Sequence, residues 1–380
     1  MEPTVVAVLT PPGVGAIATL GLHGPGAWKA VRATFTPLRG ELPEQPKDVS
    51  PGQFWLGRLG DELRDEAVLT LRQAEPVPWV ELHCHGGRQM LAVLMEAFEK
   101  RGLVRCSWQQ WLHRTEGSAL RAEIAIALAQ ARTPRTAAIL LDQYAGAFEQ
   151  ALAKILDALA RDPAEARGLL QPLLRLAKLG RHLTAPWKVV VGGAANVGKS
   201  SLVNALAGYR RSVVSATPGT TRDVVTTEIA LEGWPVELAD TAGLRDSVAG
   251  LETQGMERAR AAFRQADLCL WVADASLPPT WPENQDALPT TLMVINKIDL
   301  PAAWNLDAVP GAVRVSATAR IGLDELGQRI ARLLVPEPPA PGAPVPFNAR
   351  WSERLLQAEQ ALAAGDVPAV RNLLDPSEFA

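Results

Sequence analysis

The sequence predicts an α/β domain with a mostly parallel sheet, flanked by helical segments and preceded by an α+β domain. Three observations lead there. Between Trp187 and Leu334, short apolar runs alternate with helix-length segments. Before about residue 106, short strand-like runs crowd around a single helical stretch, and from 108 to 185 strand character gives way to Ala/Leu-rich helical periodicity. The 380 residues suffice for two or three domains, and 47% hydrophobic with 21% charged residues is an ordinary globular balance. A net charge of −3 supplies no global basic field for nucleic acid, which leaves only local patches.

Residues 1–107 form the first predicted domain. TVVAVLT, AIATLGL, EAVLTLR and WVELHCHG read as strands between Gly/Pro turns, and RQMLAVLMEAFEKRG as a helix. The N-terminus opens with an acid and is broken by Pro11 and Pro12, so it lacks the basic start of a signal peptide. Residues 108–185 follow as helices, with Thr133-Pro134 as an N-cap and a first-position proline.

In 186–335 the strand candidates are KVVVGG, DVVTTEIAL, PVELADT, LCLWVAD, TTLMVIN and AVRVSAT, separated by helices such as SSLVNALAG and GMERARAAFRQA. EIALEGWPVELAD holds two strands around Gly233, a hairpin that adds an antiparallel edge. Residues 336–347 are half proline and predict a stiff, extended linker rather than packed structure. Residues 348–380 predict one amphipathic helix with a short tail. No run approaches the ~20 apolar residues that span a bilayer. Cys84, Cys106 and Cys269 lack the spacing of a disulfide framework or zinc site, so the expectation is a soluble, cytoplasmic protein with no membrane partner.

The chemistry concentrates in one region. Gly193 to Ser200, GAANVGKS, fits G-x-x-x-x-G-K-[ST] between a predicted strand and helix. Glycines let the backbone wrap phosphates, and the N–H groups of Asn196, Val197, Gly198, Lys199, Ser200 and Ser201 can point inward at the helix start. Lys199 is placed to reach the β- and γ-phosphates and Ser200 to ligate Mg²⁺. Downstream, PGTTRD brings Gly219, Thr220 and Thr221 as a loop that can close over the γ-phosphate, with Thr221 on Mg²⁺. DTAG brings Asp240 for the magnesium shell, followed by Thr241, Ala242 and Gly243.

NKID decides the base. A carboxylate at Asp299 can accept from both guanine N1–H and the exocyclic amine, a donor pair that adenine lacks. Asn296 is expected to meet the base edge and Lys297 its face, while Ser316, Ala317 and Thr318 offer N–H groups to guanine O6. Together these elements predict GTP/GDP. The position after the DTAG glycine, where many GTPases carry a water-orienting glutamine, is Leu244. Glu252 is one candidate replacement, against the alternative of a solvated surface glutamate. Asn196 is another, as ligand of a monovalent cation beside the phosphates, against a local loop contact.

In this order, GGAANVGKSSLVNAL, PGTTRD, DTAGLRD with the trailing LETQGMERA, NKID and SAT resemble the MnmE (TrmE) family of tRNA-modification GTPases. TPPGVGAIATLGLHGPGA and VELHCHGG resemble that family's N-terminal folate-binding domain, and the likeness covers residues 4–32, 79–90 and 135–335. It implies a Ras-like P-loop GTPase domain inserted in a reduced all-helical domain, and a homodimer joined through the N-terminal domain. It further implies potassium-stimulated GTP hydrolysis, an MnmG-like partner and tRNA wobble-uridine modification. By the same resemblance Glu252 matches the catalytic glutamate and Asn196 the potassium-binding asparagine, with Ser215, Thr217 and Thr220 as the other potassium contacts.

The sequence also departs from the pattern. It ends LLDPSEFA where the family carries FC-x-GK, and Gly21 stands where the family places a folate-contacting arginine. No lysine lies between Lys100 and Lys154 to supply the second contact to formyl-tetrahydrofolate, although Glu81 matches the family's folate-site glutamate. A GTP-regulated switch or scaffold without modification activity is the alternative reading. His83, Cys84 and His85 sit on adjacent strand positions that face opposite ways, which argues against a metal site.

Overall fold

The computed structural model describes residues 2–11, 13, 15–50, 52–60, 65–209, 226–240, 261–281 and 289–376. Two compact units emerge, Met1–Ala122 and Glu123–Ala380. The first is built on a seven-stranded sheet of β1 (Val5–Val8), β2 (Ile17–His23), β3 (Phe35–Pro37), β4 (Phe54–Leu59), β5 (Asp65–Gln73), β6 (Trp79–His85) and β7 (Val104–Arg105). The spatial order is β3-β4-β5-β6-β2-β1-β7, antiparallel except for β1 with β7.

Period-2 burial fixes which face is inside. Leu20, Leu22, Leu69, Val80 and Leu82 join Trp28 of α1 (Ala27–Arg32) and Leu94, Met95 and Phe98 of α2 (Arg88–Lys100) in one core. On the other face, α3 (Trp108–Thr115) starts from a Ser107–Gln110 capping box and lays Trp111 against Val5 and Ala7. This is why the compact unit runs past 107, where the composition shift placed its end.

The second unit contains a six-stranded sheet of β8 (Trp187–Gly193), β9 (Thr226–Leu231), β10 (Trp234–Asp240), β11 (Leu268–Asp274), β12 (Thr291–Asn296) and β13 (Val313–Arg314). The order is β13-β12-β11-β8-β10-β9, parallel throughout except for the expected β9–β10 hairpin. That hairpin turns on Glu232 (φ 49°) and Gly233 (φ 80°), a two-residue turn with both φ positive that suits the strand twist. With α9 (Lys199–Tyr209) and α10 (Leu323–Leu334), this is the α/β arrangement read from the alternating pattern.

The helical part comprises α4 (Ala119–Ala129), α5 (Pro134–Tyr144), α6 (Ala147–Arg161), α7 (Pro163–Arg175), α8 (Ala177–Arg181), α11 (Ala349–Ala363) and α12 (Val367–Leu374). Thr133 caps α5 ahead of Pro134, as predicted, and its hydroxyl also donates to Gly233 O at 2.6 Å. Arg135 donates to Glu232 O at 2.7 Å, and Arg132 pairs with Glu228 at 2.6 Å. The start of α5 thus grips the β9–β10 hairpin.

Two expectations change. The proline-rich segment is extended but packed: Val345 and Phe347 are fully buried, and Gln143 accepts from Val345 N at 3.0 Å and donates to Ala343 O at 3.1 Å. Its apolar residues reach a core made by distant helices, where Phe347 meets Phe148 and Trp351 edge-on or tilted. The expected tail after α11 forms α12, because Asp366 caps Ala369 N with Pro368 in the first turn.

Candidate nucleotide-binding site

The candidate residues gather at the C-terminal ends of β8, β10, β11 and β12, where open α/β sheets place their ligands. β8 enters the loop with Val189, Val190 and Val191 buried. The chain then turns through Gly193 (φ 139°), Asn196 (φ 63°) and Gly198 (φ 92°) and enters α9 at Lys199. A Cβ at Gly198 would stand 2.4 Å from Asn296 Nδ2, so only glycine lets the two loops approach this closely. Lys199 is buried, and its ammonium donates to Ala194 O at 2.7 Å and Gly193 O at 3.3 Å, which keeps it inside the loop it serves.

Ser200 donates its hydroxyl to the carboxylate of Asp240, the last residue of β10. Asp240 is buried and pairs in register with Val191 of β8. A hydroxyl and a carboxylate oxygen side by side beside a phosphate loop are a donor set that suits Mg²⁺, which takes one or two protein oxygens and completes its shell with water and phosphate. Among the described residues no cluster of three or more His, Cys, Asp or Glu could hold a metal by itself.

The base side is built around Asn296 and Lys297. Asn296 is buried; one of its two amide N–H groups donates to Val197 O at 2.9 Å, and Oδ1 accepts from Ala317 N at 3.1 Å. It braces the phosphate loop against the SAT loop and keeps a second N–H and a second lone pair for a base edge. Lys297 (φ 64°) donates to Asn196 O at 2.8 Å and pairs with Asp274 at 2.6 Å, which leaves its methylene stem as the part that can face a base. Asp299 is exposed, as an acceptor for an incoming base must be. Ser316 is fully buried and its hydroxyl accepts from Ala319 N at 3.0 Å, which shapes the loop carrying Ala317 and the exposed Thr318.

Asp274 was not singled out from the sequence. It ends LCLWVAD on β11 in register with Asn296, the last residue of β12, and a strand-end acid beside a motif residue was the available signal. Burial alone would raise its carboxyl. Lys297 and the two Ser276 donors more than offset this and hold it below the ordinary carboxylate range. Ser201 lies exposed on α9. Ser215, Thr217, Gly219, Thr220, Thr221, Thr241, Ala242, Gly243 and Glu252 lie outside the described residues.

In the first unit Glu81 stands on β6 between Arg72 at 3.7 Å and His83 at 3.8 Å, directly across from Gly21 on β2. A Cβ on Gly21 would meet the Trp111 ring at 2.6 Å, so Trp111 fills the space that an arginine there would need. A reduced folate would find Glu81 on this face but neither the arginine nor the lysine that the resemblance implies. Those two missing contacts do not fit that ligand.

Comparison with known proteins finds similarity to GTPases. The family described as 50S ribosome-binding GTPase matches residues 188–298. The tRNA modification GTPase MnmE of Thermus thermophilus is 31% identical, over 95% of this chain and 89% of that protein. That of Phenylobacterium zucineum is also 31% identical, over 98% of this chain and 86% of its own length. Among solved structures, the G domain of the T. maritima FeoB iron transporter is 27% identical, covers 39% of this chain and 98% of its own, and has a TM-score of 0.30.

Proposed function

The chain belongs to the MnmE family of tRNA modification GTPases, and from that membership we propose that it binds and hydrolyses GTP in the service of tRNA modification. The observation that supports this reading best is the meeting of Lys199, Ser200 and Asp240 with Asn296 and Lys297 across two loops that share hydrogen bonds.

In this reading the N–H groups from Asn196 to Ser201 cradle the phosphates and Lys199 leaves its loop carbonyls for them. Ser200 and Asp240, with Thr221, would hold Mg²⁺, which would offset the negative charge that develops on the phosphates. Asp299 selects guanine, with Ala317 and the neighbouring SAT N–H groups on O6 and the Lys297 stem along the ring. The loop carrying Gly219 closes over the γ-phosphate, and the Gly243 N–H, after Thr241 and Ala242, senses it. Glu252 orients the attacking water, directly or through a second water, because Leu244 has no group that can. Asn196, Ser215, Thr217 and Thr220 would hold a potassium ion, which would supply positive charge where other GTPases use an arginine. A homodimer, a cytoplasmic setting, an MnmG-like partner and tRNA complete the proposal.

Among the described residues, no helix is long and apolar enough to cross a membrane. Asp299→Asn is expected to weaken GTP binding at least tenfold and to strengthen xanthosine triphosphate binding, both read by competition titration. Equal losses for both nucleotides would remove Asp299 from base selection. Single-turnover hydrolysis is expected to run faster in KCl than in NaCl at matched ionic strength. Glu252→Ala is expected to slow it by about 10²–10⁴-fold with GTP still bound. Wild-type rates in that variant would place the water elsewhere.

A further inference from the structure

Asp274 belongs to none of the nucleotide motifs, yet its carboxylate is the buried end of a series of contacts that reaches the phosphate loop. The side chain is only 2% exposed. Its Oδ1 accepts from Ser276 N at 2.8 Å and Ser276 Oγ at 2.7 Å. Its main-chain carbonyl accepts the Trp304 indole N–H at 3.0 Å, and its strand is locked to β12 beside Asn296. A carboxylate fixed in this way cannot follow a partner, so the partner must come to it.

That partner is Lys297. Its ammonium lies 2.6 Å from Asp274 Oδ2, in an ion pair whose approach is not that of an aligned hydrogen bond. The same ammonium donates to Asn196 O at 2.8 Å, while Asn296 donates to Val197 O at 2.9 Å. Two successive residues of the base loop therefore hold two successive carbonyls of the phosphate loop, crossed in order. Asn196 sits at φ 63°, in the left-handed region, where a tether on its own carbonyl helps to keep it.

We propose that Asp274 is a positioning residue for guanine-nucleotide binding and turnover: it holds the Lys297 ammonium on the Asn196 carbonyl and so sets the phosphate loop before nucleotide arrives. The inference rests on the reading of this site as a GTP site. Asp274 acts through Lys297 and touches neither base nor phosphate.

A double-mutant cycle separates this role from a merely structural one. GTP affinity is measured for wild type, Asp274→Asn, Lys297→Met and the double variant, with the unfolding midpoint of each recorded alongside. Asp274→Asn keeps the shape and the Ser276 acceptor while removing the charge. Each single change is expected to weaken GTP about tenfold, and the double variant is expected to be no weaker than Lys297→Met, since the ammonium through which Asp274 works is already gone. Penalties that multiply would overturn the proposal, because the acid would then act through Ser276 or the strand end. Where the amide variant does not fold, Asp274→Glu combined with Lys297→Met applies the same test of additivity. A wild-type protein that binds no guanine nucleotide sinks the reading of the site and this proposal together; wild-type binding with multiplying penalties sinks the proposal alone.

Discussion

Gly198 is the point where the phosphate loop and the base loop touch, and its two properties reinforce each other. Its φ of 92° is costly for any residue with a Cβ, and the space a Cβ would take is already occupied by Asn296 Nδ2. Gly198→Ala is expected to push Asn296 off the Val197 carbonyl. It should cost roughly 1–3 kcal/mol of stability and weaken GTP more than tenfold, read by thermal unfolding and nucleotide titration. Wild-type affinity in that variant would show that the contact between the loops is dispensable. The same contact explains what the sequence could not disclose about Asn296. Motif order places a side-chain amide near a base, but it does not say that two backbone groups, at Val197 and Ala317, also bond to its two ends. Asp274 escaped notice for a related reason: its meaning depends on a neighbour, Lys297, that only strand register brings alongside.

At the level of elements, legibility followed the length of the apolar run. β8, β11 and β12 are mostly apolar runs, and β10 keeps Val236 and Leu238 buried around Glu237, so the pattern showed all four almost to the residue. The six-residue α1, the three-residue β3 and the two-residue β7 are too short to carry a period, and β4 alternates around Gly57 with Phe54 and Leu56 exposed. The proline-rich segment misled because its partners lie far off in the chain. Gly342 N is held by Asp142, and Ala343 and Val345 by Gln143, at a separation of about 200 residues that no local pattern records. Its packing gives a direct prediction. Phe347→Ala should destabilise the second unit by about 3–5 kcal/mol, as read by denaturant unfolding, because it empties a fully buried site between Phe148 and Trp351. A loss below about 1 kcal/mol would return the segment to the status of a stiff, unpacked linker.

For the second unit as a whole, a charged seam joins its helices to its sheet. Asp267, just ahead of β11, accepts from Lys188 N at 3.0 Å and faces His182 at 3.4 Å and Lys178 at 3.5 Å, both on or next to α8. Burial pushes its carboxyl up, but the His182 and Lys188 bonds and the charges of His182 and Lys178 outweigh burial and leave it below the ordinary value. A carboxyl held low in the folded state adds stability that is fully present above its unfolded value, near 3.9. That stability is lost as pH falls through the lower folded value. Asp267→Asn is therefore expected to be less stable than wild type at pH 7, with the gap closing below about pH 4 in urea titrations. A gap that persists unchanged into acid would mean that the side chain matters there by shape and not by charge.

β10 is bonded along both edges, to β8 and to β9, and it carries a different kind of load at each end. One end is Asp240, against Ser200; the other is the turn gripped by Thr133 and Arg135. Seven residues of strand span about 20 Å and resist both stretching and compression, so the distance between those ends is nearly constant. The strand is in effect a connecting rod. The register of the carboxylate at the phosphates and the seat of α5 on its hairpin are one mechanical variable, and neither can shift alone.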